Sequence, residues 1–162
     1  MQKITPFLWY NNKAEEAVSF YASIFKKVKV KNMVRYDQAG AKASGRPEGS
    51  VMTIAFELYG QDFVAINGGP IFKFTEAISF VVNCETQEEV DELWDKLSAG
   101  GEQGQCGWLK DKYGLSWQIV PVALGELMSD PDQAKAQRVM KAMLAMKKID
   151  IAALKEAYGQ SK

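Results

Sequence analysis

Hydrophobic and polar positions divide the first 70 residues into one strand, one helix and three further strands. Ile4 to Tyr10 is rich in aromatic and branched residues, and apolar residues then recur at helical spacing from Ala14 to Phe25. Val28 to Tyr36 alternates basic and apolar residues, as in a half-exposed edge strand. Asp37 to Gly49 contains three glycines and a proline and predicts a mobile loop. A short Gly60-Gln61 turn then joins two predicted strands, Ser50 to Tyr59 and Asp62 to Asn67.

The same order of elements returns after the Gly68-Gly69-Pro70 break. Ala77 to Asn83 is an apolar run and predicts a buried strand. Thr86 can cap the helix that follows, with Glu89 as its capping-box partner, and Gly100-Gly101 ends that helix. Two strands are then predicted directly, Gln105 to Lys110 and Ser116 to Val120. A third strand, around Gln103, is inferred from the first cycle.

The two cycles form a weak internal repeat. One constant offset matches Tyr21 with Trp94 in the two helices, and it also pairs Phe7 with Phe80 in the two opening strands. Because the order of elements agrees in both cycles, we expect two pseudo-repeated βαβββ modules.

The remaining segment predicts a helical extension. Asp130-Pro131-Asp132 is a helix start, Gln133 to Lys148 carries a broad apolar stripe rich in methionine, and a second helix is predicted from Ile149 to Tyr158. The stripe either covers the sheet of its own domain or forms a dimer contact, and the sequence favours the first.

Charge and composition exclude several classes of protein. Twenty basic and twenty acidic residues cancel, so no large field steers the chain onto nucleic acid or an anionic membrane. The N-terminus lacks the pattern of a secretory signal, and the longest nearly uncharged stretch, Thr75 to Cys84, is too short to span a bilayer. Cys84 and Cys106 are expected to be reduced and packed. The sequence therefore predicts a cytoplasmic protein.

Several segments carry a family resemblance that covers nearly the whole chain: Ile4 to Tyr10, Ala14 to Tyr21, Ala65 to Pro70, Lys73 to Phe80, Cys106 to Gly114, Ser116 to Pro121 and Asp130 to Ile151. On these residues the chain resembles the vicinal oxygen chelate superfamily, which includes glyoxalase I, bleomycin-resistance proteins and extradiol dioxygenases. More narrowly, it is similar to 3-demethylubiquinone-9 3-methyltransferase-like domains.

The resemblance implies an α+β fold in which two βαβββ modules form a curved mixed sheet with a cleft, followed by a C-terminal helical tail. We expect a single domain over 1–162, with a first module at 1–70, a second module at 71–122 and the extension at 123–162. It also implies a homodimer.

Metal-using members of the superfamily draw ligands from the first strand of each module and from strands near each module's end. Gln118 lies where the pattern Asp-x-x-Gly-x-x-x-Glu would place a ligand glutamate, but a neutral amide cannot hold a metal ion alone. The other positions offer little more: Thr5 to Phe7, Phe63 to Asn67 and Ala77 to Ser79. The chain also lacks histidine, and the sequence therefore predicts neither a bound metal ion nor another cofactor.

Two further kinds of chemistry are disfavoured. Methyl transfer from S-adenosylmethionine commonly uses a glycine-rich loop between a strand and a helix of a doubly wound sheet. The glycines from Gly100 to Gly107 instead follow a helix and lead into a strand. A cysteine nucleophile would need a base to form the thiolate, and no imidazole is present.

Aromatic residues with a few amides and one hydroxyl are the candidates for lining the cleft. For any one of them a position in the core is the more common outcome, since strand residues alternate between the two faces of a sheet. The candidate ligand-binding residues are Phe7, Trp9, Phe63, Asn67, Ser79, Trp108, Trp117 and Gln118.

The sequence therefore predicts a metal-independent protein that binds a small molecule in an aromatic-lined cleft, with no nucleic-acid or membrane partner. An alternative is an enzyme, a transferase or lyase acting on a quinone-like or other oxygenated small molecule. A third interpretation is a protein that sequesters a toxic ligand, as bleomycin-resistance factors do.

Overall fold

The computed structural model describes residues 2–160, and the chain divides into two compact units, Met1–Phe74 and Thr75–Lys162. The first unit contains β1 (Phe7–Tyr10), α1 (Ala14–Ile24), β2 (Val28–Arg35), α2 (Gln38–Ser44), β3 (Val51–Leu58) and β4 (Gln61–Asn67). The second contains β5 (Ser79–Cys84), α3 (Gln87–Ser98), β6 (Glu102–Gln103), β7 (Trp108–Lys110), β8 (Ser116–Pro121), α4 (Val122–Met128), α5 (Gln133–Leu144) and α6 (Ile151–Gly159).

Each unit holds one four-stranded mixed sheet with the same topology. The strand orders are β1-β4-β3-β2 and β5-β8-β7-β6. In both sheets the first strand runs parallel to the last, and the other pairs are antiparallel. The α+β fold with two βαβββ modules is thereby confirmed, and β6 is the strand inferred around Gln103.

In the first unit, α1 packs on one face of the sheet because its apolar residues recur on one side of the helix. Tyr21 is fully buried and stacks on Phe56 of β3, with ring centroids 6.4 Å apart. Its hydroxyl lies 3.0 Å from that of Tyr10 in β1. Leu8 and Ile54 are buried on the same face, so this side of the sheet is the core.

In the second unit, α3 packs in the same way, burying Val90 and Leu97. The capping prediction is confirmed, since the Thr86 hydroxyl oxygen accepts from the amide of Glu89 at 3.2 Å. The Glu89 carboxylate in turn accepts from the amide of Glu85 at 2.9 Å. Both interactions satisfy amides at the helix N-terminus that have no partner within the helix.

The three C-terminal helices pack within the second unit. Leu124, Val139, Ile149 and Leu154 form a small core of their own, against which Val120 of β8 packs. The turn before β7 is tied to this extension, because the Gly107 amide donates to the Lys147 carbonyl oxygen at 2.7 Å. Gln87 at the start of α3 adds hydrogen bonds to the backbone of Ile149 and Ile151.

Three details of the sequence prediction are wrong. Asp37 to Gly49 is not all loop, because Asp37 caps the short helix α2 and Gly45 ends it in the left-handed region at φ 71°. Helix α4 was not predicted. The constant offset between the cycles fails in the strands, since Phe7 is exposed whereas Phe80 packs beside buried Trp117. One more residue separates β1 from α1 than β5 from α3, and a slip of one residue reverses the faces of a strand.

A search of the described residues for a helix long and apolar enough to cross a bilayer finds none.

Candidate functional site

The side of the second sheet that faces away from α3 carries most of the polar candidates. Along β8, Trp117 and Ile119 are buried toward the helix, so Ser116 and Gln118 lie on the opposite side. We call that side the second open face. The strand register places six further side chains on it or beside it: Ser79, Val81, Asn83, Glu102, Trp108 and Lys110.

A depression of about 190 Å³ lies at one end of this face. It is lined by Glu76, Glu102, Gln103, Trp108, Lys110 and Ser116, among others. Ser116 is 1% exposed, and within residues 2–160 its hydroxyl oxygen has no hydrogen-bond partner. A buried hydroxyl without a partner is uncommon because its desolvation is uncompensated. The Ser116 hydroxyl is therefore buried within the lining of the depression rather than exposed to it, and Trp108 contributes an aromatic side chain to the lining.

Three charged side chains surround the depression. The Lys110 ammonium lies 2.5 Å from a carboxylate oxygen of Glu76 and 3.6 Å from one of Glu102. The hydrogen bond from Lys110 lowers the pKa of the Glu76 carboxyl, and Glu76 raises the pKa of Lys110. Both groups are therefore charged at neutral pH.

The middle of the second open face carries a hydrogen-bonded amide–hydroxyl pair. The Gln118 side-chain amide donates to the Ser79 hydroxyl oxygen at 2.9 Å. Gln118 lies in register between Val81 of β5 and Trp108 of β7. Ser79, Trp108 and Gln118, three of the sequence candidates, are thus brought onto one surface.

Two other candidates lie on the corresponding side of the first sheet, facing away from α1. Phe7 is 58% exposed, and Trp9 is half-buried beside the turn after β4. The Trp9 indole N–H donates to the Gly69 carbonyl oxygen at 2.9 Å, and Phe72 meets the ring edge-on at a centroid distance of 5.0 Å. A Cβ atom on Gly68 would lie only 2.2 Å from the indole, so glycine permits this approach.

Phe63 and Trp117 lie in the two cores rather than on the open faces. Phe63 is buried and stacks on Phe56 at 5.4 Å. The Trp117 indole N–H donates to the Asp111 carboxylate at 2.9 Å. The other carboxylate oxygen of Asp111 accepts from the amides of Tyr113 and Leu115 at 2.9 and 3.1 Å.

Asn67 is also buried, at 2% exposure, and its side chain is fully used within the first unit. Its amide oxygen accepts from the Ala14 amide at 2.8 Å. Its amide nitrogen donates to Glu15 at 2.7 Å and to the Val51 carbonyl oxygen at 3.0 Å. Asn67 therefore ties α1, β3 and β4 together, and its proposed contact with a ligand stays a prediction.

Sequence reasoning missed Ser116, Lys110 and Glu76. The alternation of β8 places Ser116 on the same face as Gln118, and this signal was available. Glu76 lies outside the strands, and only the fold brings it to Lys110.

The side chains where the first and last strands of each sheet meet do not fit a divalent metal ion. At the register positions where first and last strands meet, the first sheet offers Phe7 and Val64, and the second offers Val81 and Gln118. Three of these four side chains end in carbon. Among the described residues there is also no group of three or more cysteine, aspartate or glutamate side chains arranged to hold a metal.

Cys84 and the glycine segment from Gly100 to Gly107 have environments that fit a structural role. Burial raises the pKa of the Cys84 thiol to about 12, so it is protonated at neutral pH. Gly100, at φ 76°, follows the end of α3, and a Cβ atom on Gly101 would lie 2.1 Å from the Lys110 carbonyl oxygen. These glycines allow the chain to turn close to β7.

Comparison with known proteins agrees with this architecture. Residues 2–120 match the model of a family described as 3-demethylubiquinone-9 3-methyltransferase. The PhnB protein from Bacillus cereus is 40% identical, with a TM-score of 0.66 over 75% of this chain and 100% of that one. Protein PA1353 from Pseudomonas aeruginosa is 18% identical, with a TM-score of 0.59 over 75% and 98%.

The fosfomycin resistance protein FosX from Listeria monocytogenes, in a structure with Mn(II) and sulfate, is 14% identical, with a TM-score of 0.51 over 75% of this chain and 91% of that one. FosX has the vicinal oxygen chelate fold, so this similarity confirms the predicted fold. No curated protein matches the chain.

Proposed function

The chain belongs to the 3-demethylubiquinone-9 3-methyltransferase family, and from this membership we propose that it is a metal-independent protein that binds a small, partly aromatic molecule on the second open face. One observation carries the proposal. Trp108 lies in register with Gln118, whose side-chain amide donates to the Ser79 hydroxyl oxygen, and it also lines the depression on that face. An apolar surface with a few orienting polar groups is the usual composition of a small-molecule site.

The chemistry of the side chains supports the metal-independent part of the proposal. The structure of FosX contains Mn(II). In this chain the positions where the first and last strands of each sheet meet offer Phe7, Val64, Val81 and the amide of Gln118. Calorimetric titration with Mn²⁺ and Zn²⁺ tests this directly. Stoichiometric binding that is lost in Gln118→Ala would contradict it, and heat indistinguishable from dilution is expected.

Ligand binding is tested with a panel of aromatic ketones, phenols and amides, each titrated into 15N-labelled protein. We expect members of the panel to shift the indole signal of Trp108 and the side-chain amide signal of Gln118. Phe74, in the other unit, packs edge-on against Tyr10 at 5.2 Å, and backbone signals there serve as an internal reference. A panel that shifts neither Trp108 nor Gln118 would count against the site.

An enzymatic alternative is a transferase or lyase acting on an oxygenated small molecule of the same class. The Gln118–Ser79 pair favours it, because an amide already oriented by a hydroxyl can hold a substrate oxygen. Turnover by the purified protein that disappears in Gln118→Ala, with unchanged unfolding, would support the enzyme. Binding without turnover supports the binding protein and, if cells are protected from the ligand, sequestration.

We also propose that the protein is a homodimer. Several large apolar side chains are strongly exposed, including Ile71 at 74%, Ile78 at 71% and Phe72 at 61%. Exposed apolar surface of this kind is typical of protein interfaces. Light scattering coupled to gel filtration is expected to give twice the 18.0 kDa chain mass, and a monomer at micromolar concentration would contradict the proposal.

A further inference from the structure

The side-chain amide of Gln118 is only partly used by the protein. Its nitrogen donates to the Ser79 hydroxyl oxygen at 2.9 Å, and this amide makes no other hydrogen bond within residues 2–160. Asn67 and Gln87 differ, because the oxygen and the nitrogen of each amide are both bonded to the chain. Gln118 therefore keeps its amide oxygen and one N–H available for a ligand.

The Gln118–Ser79 pair is accessible from the second open face. Both residues are half-buried, whereas Ser116 is fully buried. Within residues 2–160 the fully buried side-chain atoms that lack a hydrogen-bond partner belong to Arg46 and Ser116. The unpaired amide oxygen of Gln118 is not one of them, so it keeps contact with solvent and a ligand can reach it.

The available groups of the pair are one acceptor and two donors. The acceptor is the Gln118 amide oxygen. The donors are the second N–H of Gln118 and the hydroxyl hydrogen of Ser79, whose oxygen accepts in the bond between them. A carboxylate offers acceptors alone and an ammonium offers donors alone, so each leaves part of the pair unmatched. A carboxamide carries N–H and C=O side by side and matches both, as the edge of adenine matches a glutamine.

The neighbours of Gln118 favour an amide that is carried on a flat ring. Trp108 of β7 and Val81 of β5 lie beside Gln118 in the strand register. Side chains directly opposite each other on an antiparallel pair have Cβ atoms about 5 Å apart. A group bonded to Gln118 is therefore within reach of Trp108, and an aromatic ring attached to that group can pack against the indole.

We propose that Gln118 binds an amide group of the ligand, a primary carboxamide or a lactam carried on a flat ring. The ligand N–H donates to the Gln118 amide oxygen. The ligand carbonyl oxygen accepts from the second N–H of Gln118 or from the Ser79 hydroxyl, and Ser79 also holds the Gln118 amide in place. The inference rests on the proposed function and specifies its ligand class.

Benzamide, acetophenone and benzoate test the assignment, because they share one ring and nearly one shape. Benzamide has both N–H and C=O, acetophenone has a methyl group in place of the NH2, and benzoate carries acceptors alone. Each is titrated into 15N-labelled protein, and the shift of the Gln118 side-chain amide signal gives the dissociation constant. We expect benzamide to bind about threefold to tenfold more tightly than acetophenone, the usual gain from one hydrogen bond. Equal affinities for these two, or tighter binding of benzoate, would overturn the assignment.

Gln118→Met and Gln61→Met form a matched pair for the amide, because methionine keeps the length of the side chain and removes the amide. In Gln118→Met the Trp108 indole signal should report equal dissociation constants for benzamide and acetophenone. Gln61, an exposed residue of β4 in the first unit, should accept the same change with the preference intact. Urea denaturation establishes that both variants are folded. A preference for benzamide that survives in folded Gln118→Met would overturn the assignment.

The amide assignment and the wider function fail in different ways. If benzamide has no advantage over acetophenone while aromatic probes still shift the Trp108 and Gln118 signals, the ligand site stands and the amide assignment is wrong. If no member of the wider panel shifts either signal, both are wrong.

Discussion

The two units repeat one βαβββ plan, but they treat equivalent positions of the open face differently. In the first unit Glu57 of β3 lies opposite Asp62 of β4, and Lys31 of β2 forms ion pairs with both carboxylates. In the second unit Lys110 of β7 lies opposite Ser116 of β8. The carboxylates that pair with Lys110 come from β6 and from the segment before β5.

This difference separates a first sheet whose facing carboxylates are paired from a second sheet on which we propose ligand binding. Two adjacent carboxylates repel each other, and Lys31 compensates that repulsion within the first sheet. In the second sheet the same position holds a neutral hydroxyl that no atom of the described chain satisfies. The duplicated fold thus keeps the packing plan of both halves, while the polar side chains of the two open faces differ.

The units also differ in the buried polar group that anchors them. Asn67 anchors the first unit as a neutral amide, and Asp111 anchors the second as a carboxylate that accepts from the Trp117 indole and from the backbone amides of Tyr113 and Leu115. Hydrogen bonds to a charged group are stronger than those between neutral groups. The second anchor is therefore expected to contribute more to stability. Two predictions test this comparison of anchors, and two more concern polar groups of the second unit.

The largest effect is expected for Asp111→Ala. It leaves the indole N–H of Trp117 and two backbone amides without their acceptor, which should lower the free energy of unfolding by about 3 kcal/mol. Urea denaturation measures the change. Asp111→Asn keeps one acceptor oxygen and should lose less, and a loss below about 1 kcal/mol in the alanine variant would contradict the role of the anchor.

Asn67→Ala should have a smaller effect, with a loss of about 2 kcal/mol in the same denaturation experiment. The change removes the acceptor of the Ala14 amide and the donor to the Val51 carbonyl oxygen. Asn83, an exposed asparagine of β5, is the matched control, and its alanine variant should lie within about 0.5 kcal/mol of the original protein. If Asn67→Ala costs more than Asp111→Ala, the comparison of the anchors is reversed.

Ser116→Ala and Ser98→Ala should differ from each other in stability by about 1 kcal/mol. Removing the Ser116 hydroxyl relieves a buried group that is unsatisfied within residues 2–160, so this variant should equal or exceed the original protein in stability. Removing the Ser98 hydroxyl breaks its hydrogen bond with the exposed Gln103 side chain and should cost the net value of that bond, about 1 kcal/mol. Thermal unfolding of the two proteins without ligand separates them, and destabilisation by Ser116→Ala would show that its hydroxyl is already used.

The smallest effect concerns acid. Hydrogen bonds lower the pKa of three carboxyls of the second unit: Lys110 acts on Glu76, Lys148 and Gln87 act on Asp91, and Tyr158 acts on Asp130. Groups with a depressed folded pKa stabilise the protein above their unfolded values of 4.5 and 3.8, and this contribution is lost as the pH falls through the folded values.

Hydrogen exchange in α6 should therefore accelerate as the pH falls below about 4, after correction for the intrinsic exchange rate. The Tyr158 hydroxyl donates to Asp130 at 2.5 Å and connects the end of α6 to the segment before α5. Tyr158→Phe should weaken the pH dependence without abolishing the helix. An unchanged pH dependence in this variant would exclude Asp130 as its source.

Most secondary-structure elements could be predicted because their signals are local. The capping box of α3, the turn between β3 and β4, and the aspartate caps of α5 and α6 each lie within a few consecutive residues. Helix α2 also has a local signal in Asp37 and Gly45, but the composition of its surroundings is that of a loop. The offset between the cycles failed in the strands because one loop residue reverses a strand without disturbing a helix.

The site was only partly accessible from the sequence. Ser79, Trp108 and Gln118 were identified as candidates and share the second open face. Phe63, Asn67 and Trp117 were equally plausible from residue type, yet their side chains lie in the cores of the two units. An aromatic or amide side chain can serve either environment, and only the direction of its strand decides which one it meets.

The sequence by itself determined the class of fold, the repeated order of elements and the poverty of metal donors, because these follow from periodicity, turn residues and composition. Tertiary structure alone decided that Glu76 pairs with Lys110 and that the buried Ser116 and the half-buried Trp108 belong to the lining of one depression. Those contacts join residues from separate elements, and their geometry depends on strand register and packing, which no local pattern encodes.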